Sequence, residues 1–134
     1  MIYQAYPEIS SCALLHWQLV LDHDKIDRNE LQNGTNAKKG TGTKIADKLL
    51  YISGQISIND KGELIKGKLG KDLKTEAGYE AAKRCALNII AQAKKACAGD
   101  LSKIKSCIKL TGFVNSTDDF IEQPKVINGA SDLI

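Results

Sequence analysis

The acidic and imidazole side chains that could hold a metal ion are concentrated in one stretch near the N-terminus. His16, Asp22, His23 and Asp24 lie within it. A zinc site needs three or four ligands at spacings that let them converge, and this stretch offers no third well-spaced ligand. The sequence therefore favours a solvated, acidic helix end over a metal site, and it predicts neither a metal nor a cofactor.

A second group with possible chemistry is a set of lysines before the strongest helical pattern. Lys68, Lys71 and Lys74 lie near a predicted helix N-terminus, which could favour an anion. Residues 67–70, GKLG, also match the GxxG loop of RNA-binding KH domains. That loop joins two helices, whereas a strand pattern precedes this one. A solvated, lysine-rich loop is the simpler interpretation.

The cysteines and the N-terminal residues bear on the cellular compartment. No CxxC pair or zinc-like cluster is present, and free, reduced, buried thiols are the simplest interpretation. Residues 1–11 contain no Lys or Arg, and the apolar stretch that follows is too short to span a bilayer. The sequence thus predicts a cytoplasmic protein that does not enter the membrane. The four cysteines are Cys12, Cys85, Cys97 and Cys107.

Composition limits the size of the fold and the kinds of partner. The 134 residues fit one domain, and 43% apolar with 26% charged residues is typical of a globular protein. A net charge of +3 is too small to indicate nucleic acid. Arg28 and Arg84 are the only arginines, so few side chains can bind a carboxylate or phosphate with two parallel hydrogen bonds.

The element that would organise these residues is a helix predicted for Thr75–Cys97. Small and apolar residues recur there at a spacing of three and four, which places them on one face. Thr75 can cap the helix start and Gly99 can end it in the left-handed conformation. A helix of this kind packs closely, and the neighbouring strand patterns predict a sheet as its partner. The predicted inner face comprises Ala82, Cys85, Ala86, Ile89, Ile90, Ala93, Ala96 and Cys97.

Strand patterns lie on both sides of this helix. The sequence predicts a short strand from Thr43, a turn at Ala46-Asp47, and a nearly continuous apolar strand from Lys48 to about Ile58 that should be central and buried. Residues 59–62 form a hairpin turn into a third strand, Glu63–Lys66. After the helix, Ile104–Val114 alternates as a strand does. A second helix begins at Pro124, with Val126, Ile127, Ala130, Leu133 and Ile134 predicted to face inward.

The resulting order, β-β-β-α-β-α, predicts an α+β fold with two helices on one face of a sheet. Residues 1–39 stay unassigned as an N-terminal extension, because Ala13–Ile26 fits a helix or a strand and Leu31–Gly42 is linker-like. The assigned domain is 40–134. The pattern stops at a helix, so the sheet is expected to keep an unpaired edge.

Several segments together resemble the reactive-intermediate deaminase family (RidA, YjgF or endoribonuclease L-PSP), most closely its longer-loop branch. They are LLYISGQ, GKLGKDL, YEAAKRCALNIIAQ, GDLSKIK and GFVNSTDDFIEQPKVINGASDLI, and they cover about residues 44–134. The joint spacing of SGQ and PKVINGASDL around the central helix is the specific part of this signature.

The resemblance implies a fold like that of bacterial chorismate mutase, assembled as a homotrimer with ligand pockets between subunits. It also implies hydrolysis of 2-imino or enamine acids to 2-keto acids and ammonia. Some relatives are described as ribonucleases or translation inhibitors.

By the same resemblance, the family's serine corresponds to Ser53 and its helical asparagine to Asn128. Ser53 would position substrate or water, with Gly54 allowing close approach, and Asn128 would support the pocket. The family's substrate-clamping arginine and a glutamate lie on two further strands, beyond Ile134. A family tyrosine falls on Gly40.

Chain 1–134 is therefore expected to have impaired deaminase activity. Two alternatives remain open: a trimeric module that binds a small ligand without turnover, and RNA binding or cleavage, which the low net charge disfavours.

Overall fold

The computed structural model describes residues 13–22, 25 and 42–134, and for residues 14–17 the backbone alone. Four strands are present: β1 Ala13–Leu21, β2 Thr43–Ala46, β3 Leu49–Ile56 and β4 Ile104–Val114. Helix α1 spans Thr75–Ala96 and helix α2 spans Gln123–Ser131. The strands form one sheet in the order β2-β3-β1-β4, and the chain is an α+β protein as predicted.

The N-terminal segment left open between helix and strand is a strand. β1 lies between β3 and β4 in the sheet. Its end is fixed by a hydrogen bond from Leu21 N to Lys48 O at 2.8 Å, and Asp22 N donates to Lys103 O at 2.7 Å. The suggested metal ligands His23 and Asp24, the linker residues 31–41 and the side chain of His16 lie outside the described residues. Within the described part of the chain, no group of His, Cys, Asp and Glu could hold a metal ion.

The predicted third strand, Glu63–Lys66, is wrong. An isolated bridge between Ile58 and Leu64 follows the turn, and no named strand forms there. Asn59 organises this turn, because its Oδ1 accepts hydrogen bonds from the backbone N–H groups of Lys61 and Glu63. The β-β-β-α-β-α order is still found, with β1 as its first strand.

β3 is an interior strand, but it is not buried on both sides. Leu50 and Ile52 are buried, whereas Tyr51 and Ser53 are exposed. The prediction of a fully buried strand is therefore wrong. The sequence of β3 is almost continuously apolar because Leu50 and Ile52 lie on the buried face and Tyr51, also apolar in character, lies on the exposed face.

The described residues divide into two compact units, and each has its own apolar interior. The first contains residues 13–15, Gln55–Asn88 and Thr111–Ile134. Its buried side chains include Leu69, Ala82, Cys85, Val126 and Ile127. The Cys85 thiol donates a hydrogen bond to Ala13 O, which ties the first half of α1 to the start of β1.

The second unit contains the described residues from His16 to Gly54 together with Ile89–Leu110. Leu19, Leu21, Leu50, Ile52, Ile89, Ala93 and Cys97 are buried there. The predicted inner face of α1 is confirmed at most positions, and Ile90 and Ala96 are half-buried. The helix ends at Ala96, and the left-handed residue that follows is Ala98, with φ of +53°, and not Gly99 alone. Gly99 also has a positive φ, of +93°, and its N–H donates to Lys94 O.

Helix α2 sits against α1 within the first unit, with Val126, Ile127 and Ala130 buried as predicted. Ile134 is 60% exposed, so its predicted inward orientation is wrong. It follows the end of the helix and does not belong to its buried side. Among the described residues, no helix has the length and apolar character needed to cross a membrane.

Candidate functional site

Ser53 lies on the exposed face of the β2–β3 hairpin. Antiparallel pairing places Thr43 opposite Ile52 and Lys44 opposite Tyr51. The same register continues to Ser53, whose N–H donates to Gly42 O at 2.6 Å. Because side chains alternate along a strand, Ser53 shares its face with Tyr51 and not with the buried Ile52. The hairpin thus places Ser53 on its exposed face.

Gly54 directly follows Ser53 and is half-buried. Gln55 and Ile56 complete β3, and the strand enters the first unit at Gln55. The chain beyond β3 is anchored by Asn88 of α1, whose side-chain amide donates to Ile56 O and Ile58 O. The two carbonyl groups that it satisfies give Asn88 a structural role.

Asn128 is exposed on α2, between the buried residues Ile127 and Gly129. Its backbone carbonyl accepts a hydrogen bond from Asp132 N at 2.8 Å, which completes the last helical turn. Its side chain therefore lies on the side of α2 that does not pack on α1. Ser53 belongs to the second unit and Asn128 to the first. Their convergence on one cleft remains a prediction.

The backbones of α1 and α2 approach each other closely where the two helices pack. A Cβ atom on Gly129 would lie 2.0 Å from the carbonyl oxygen of Tyr79 in α1. A Cβ atom on Gly78, the neighbour of Tyr79, would meet Leu69 Cδ2 at 2.8 Å and Val126 Cγ2 of α2 at 3.0 Å. Only glycine allows the helices to come this near. Gly129 is thus a packing contact between the two helices.

Polar contacts fix both ends of α2. At its start, the Glu122 carboxylate accepts hydrogen bonds from the Thr75 hydroxyl of α1 and from Lys125. These bonds lower the pKa of Glu122, with Lys125 making the larger contribution. At its end, the Tyr79 hydroxyl donates to Asp132 Oδ2 at 2.9 Å, which raises the pKa of Tyr79. Helix α2, which contains Asn128, therefore contacts α1 at three places: at its start, at Gly129 and at its end.

A groove of about 460 Å³ lies at the start of α1, where the sequence suggested an anion. Lys71 and Lys74 line it, but so do Asp72 and Glu76. The first turn of α1 also meets the chain's own carboxylate, Glu122, through Thr75. These charges balance, so the groove has no excess of positive charge to attract an anion.

The loop before this groove does not support the KH interpretation. Residues 64–69 contain isolated bridges and no helix, so the GxxG sequence does not join two helices. Leu69 anchors the loop: its side chain is fully buried, and its backbone exchanges hydrogen bonds with Asn115 O and Thr117 N. The lysines Lys68, Lys71 and Lys74 are exposed, as the solvated-loop interpretation predicts.

The structure defines an α+β fold in which Ser53 is exposed on a sheet face and Asn128 is exposed on a helix that packs closely through Gly129. The family described as "YjgF/chorismate_mutase-like, putative endoribonuclease" matches residues 35–134. The chain therefore belongs to the YjgF/chorismate mutase-like family, which confirms the resemblance found in its sequence.

Similarity to individual proteins supports the same family assignment. Protein TCP17 of Trypanosoma cruzi is 47% identical over 85 residues, which are 63% of this chain and 52% of that protein. The chain thus spans about half the length of this curated relative. The structure of Atu1372 from Agrobacterium tumefaciens, a protein of unknown function, is similar with a TM-score of 0.68 and 42% identity. That match covers 79% of this chain and 70% of Atu1372.

A second solved structure, described as a "putative endoribonuclease" from Shewanella oneidensis MR-1, has a TM-score of 0.67 and 40% identity. It covers 72% of this chain and 64% of that one. At these identities the similarity extends beyond the fold to the family. The family and its fold are thus shown for this chain.

Proposed function

We propose that the full-length protein hydrolyses 2-imino or enamine acids to 2-keto acids and ammonia. The observation that carries the proposal is the placement of Ser53, exposed on β3 between the buried Ile52 and the half-buried Gly54 in a chain of this family. A hydroxyl on a rigid strand can orient water or substrate, which is the assistance that addition to a C=N bond needs. Gly54 beside it leaves room for close approach.

The site is proposed to form between subunits of a homotrimer. Asn128 is exposed within its own unit, which leaves its side chain available to a pocket shared with a neighbouring copy. The groups proposed to complete the site are the family's arginine and glutamate on strands beyond Ile134. A two-pronged arginine is the best clamp for the substrate carboxylate. Its loss commonly costs several kcal/mol, or roughly a thousandfold in binding.

We further propose a reducing, cytoplasmic environment for this enzyme, because Cys85 and Cys97 are buried and not bridged by a disulfide.

The test is ammonia release from 2-iminopropanoate by two versions of the protein, measured above the spontaneous hydrolysis. One version is residues 1–134, and the other continues through the natural sequence that follows. Activity in the extended version, at least about a hundredfold above that of residues 1–134, is the expected result. Activity in neither version would contradict the proposal and favour a module that binds a ligand without turnover.

Oligomeric state is measured on the same samples by sedimentation equilibrium. The extended version is expected at three times its chain mass. A monomer with full activity would contradict the proposed intersubunit site.

A further inference from the structure

Two further reactive side chains share the exposed face of the hairpin that carries Ser53. Tyr51 precedes Ser53 by two residues and is 37% exposed. Lys44 of β2 is exposed and lies directly opposite Tyr51 in the antiparallel register. The buried partners on the other face are Leu50 and Ile52. Strand alternation therefore places a cation, a phenol and a serine on one surface.

The spacing lets these three groups contact one small molecule. Cβ atoms of directly opposite residues are about 4.5–5.5 Å apart and diagonal neighbours about 7–8 Å apart, within reach of long side chains. In residues 13–22, 25 and 42–134, neither the Tyr51 hydroxyl nor the Lys44 ammonium has a hydrogen-bond or ion-pair partner. Both groups are thus available to a ligand. All three residues belong to the second unit, on two strands joined by a two-residue turn.

We propose that Lys44 and Tyr51 bind the substrate beside Ser53, with Lys44 attracting its carboxylate and Tyr51 donating a hydrogen bond to its imine nitrogen. This proposal rests on the deaminase function proposed above. It names two substrate-binding residues that lie entirely within the hairpin. The substrate class that suits them is a small acid with a C=N group at the carbon next to the carboxylate.

The chemistry balances with these groups and water alone. The water oxygen forms a bond to the imine carbon, and the C=N electron pair moves to nitrogen. Nitrogen takes a proton from the Tyr51 hydroxyl, which recovers one from the attacking water. In the resulting carbinolamine, the hydroxyl proton passes to nitrogen. The electron pair left on oxygen then forms the second C–O bond while the C–N bond breaks with its electron pair leaving on nitrogen, which gives the keto acid and ammonia.

Two substitutions in the full-length protein separate these roles. Tyr51→Phe keeps the ring but removes the proton donor, so kcat is expected to fall about a hundredfold with KM within about twofold. Lys44→Met keeps the chain length but removes the charge, so KM is expected to rise about fivefold, as suits an exposed charge. Lys48→Met is the matched control, because Lys48 lies exposed in the turn of the same hairpin. Its KM should not change.

Titration with the product analogue 2-oxobutanoate gives a readout that does not depend on turnover. Lys44→Met should weaken binding about fivefold and Lys48→Met should not, with backbone amide shifts at residues 44 and 51 on binding. An active wild type whose Tyr51→Phe and Lys44→Met variants keep normal kcat, KM and binding would overturn this inference and leave the deaminase function standing. An inactive wild type that still binds the keto acid through Lys44 would contradict the reaction and retain the binding role of Lys44.

Discussion

At the scale of single residues, some polar side chains make contacts within the fold, and others lie exposed on its surface. Arg84 forms an ion pair with Asp60 at 2.7 Å, and Asn88 satisfies two strand carbonyls. Ser53 and Asn128 instead lie exposed beside buried neighbours. Their exposure makes Ser53 and Asn128 the residues proposed to contact a ligand.

Glu122 gives a prediction about pH. Its pKa is lowered in the folded chain by hydrogen bonds from Lys125 and Thr75, so its contribution to stability is present above the unfolded pKa. That contribution is lost as the pH falls through the lower, folded pKa, in the window below about 4.5. Glu122→Gln is therefore expected to lower Tm at pH 7 and to match the wild type at strongly acidic pH.

Thermal melts across this range provide the measurement. Glu80→Gln is the control, since Glu80 is exposed on α1. Equal Tm differences for Glu122→Gln at both ends of the range would show that the carboxylate does not hold α2.

Asn88 gives a second prediction at this scale. Its amide donates to Ile56 O at 3.1 Å and Ile58 O at 3.3 Å. Asn88→Ala leaves these carbonyl groups without that donor and is expected to cost about 1–2 kcal/mol of unfolding free energy. Urea denaturation measures it, with Leu87→Ala as a control at the neighbouring exposed position. A loss for Asn88→Ala no larger than the control's would rule out the anchoring role.

At the scale of elements, the contact between α1 and α2 depends on a glycine. A methyl group at residue 129 would collide with the Tyr79 backbone carbonyl, which cannot rotate away as a side chain can. Gly129→Ala is expected to destabilise the chain by about 3 kcal/mol, the upper end for overpacking, although alanine is the better helix former.

Denaturant unfolding provides the comparison, with the adjacent Asn128→Ala as control. The control should change stability by less than about 0.5 kcal/mol because Asn128 is exposed. Equal stability of Gly129→Ala and wild type would contradict the close approach.

Elements also show where sequence reasoning succeeds. Helix α1 was predicted to within one residue, because an uninterrupted stripe of small residues and a left-handed glycine at the end are local signals. The β2–β3 hairpin was predicted for the same reason. β1 was ambiguous, since the choice between helix and strand there depends on pairing with β3 and β4, which are distant in sequence.

Only some residues of the candidate site could be predicted from the sequence. Ser53, Gly54 and Asn128 came from the family resemblance, and no local pattern marks them. Lys44 and Tyr51 could have been found from strand alternation, had β3 been interpreted as half-buried. The roles of Gly129 and of Thr75 with Glu122 could not, because they arise from contacts between segments some fifty residues apart.

At the scale of the whole molecule, the comparisons define how much of the chain and of its relatives is shared. It matches the family over residues 35–134 and spans 52% of TCP17. The hairpin with Ser53 lies in one compact unit and the helix with Asn128 in the other. Function is therefore best tested on the full-length protein.

The most direct test is the effect of Ser53→Ala and Asn128→Ala on ammonia release from 2-iminopropanoate by the full-length protein. We expect each to lower kcat/KM at least about tenfold while Tm changes by less than about 2 °C, since both residues are exposed. Two variants that release ammonia as fast as the wild type would contradict the placement of the active site on β3 and α2.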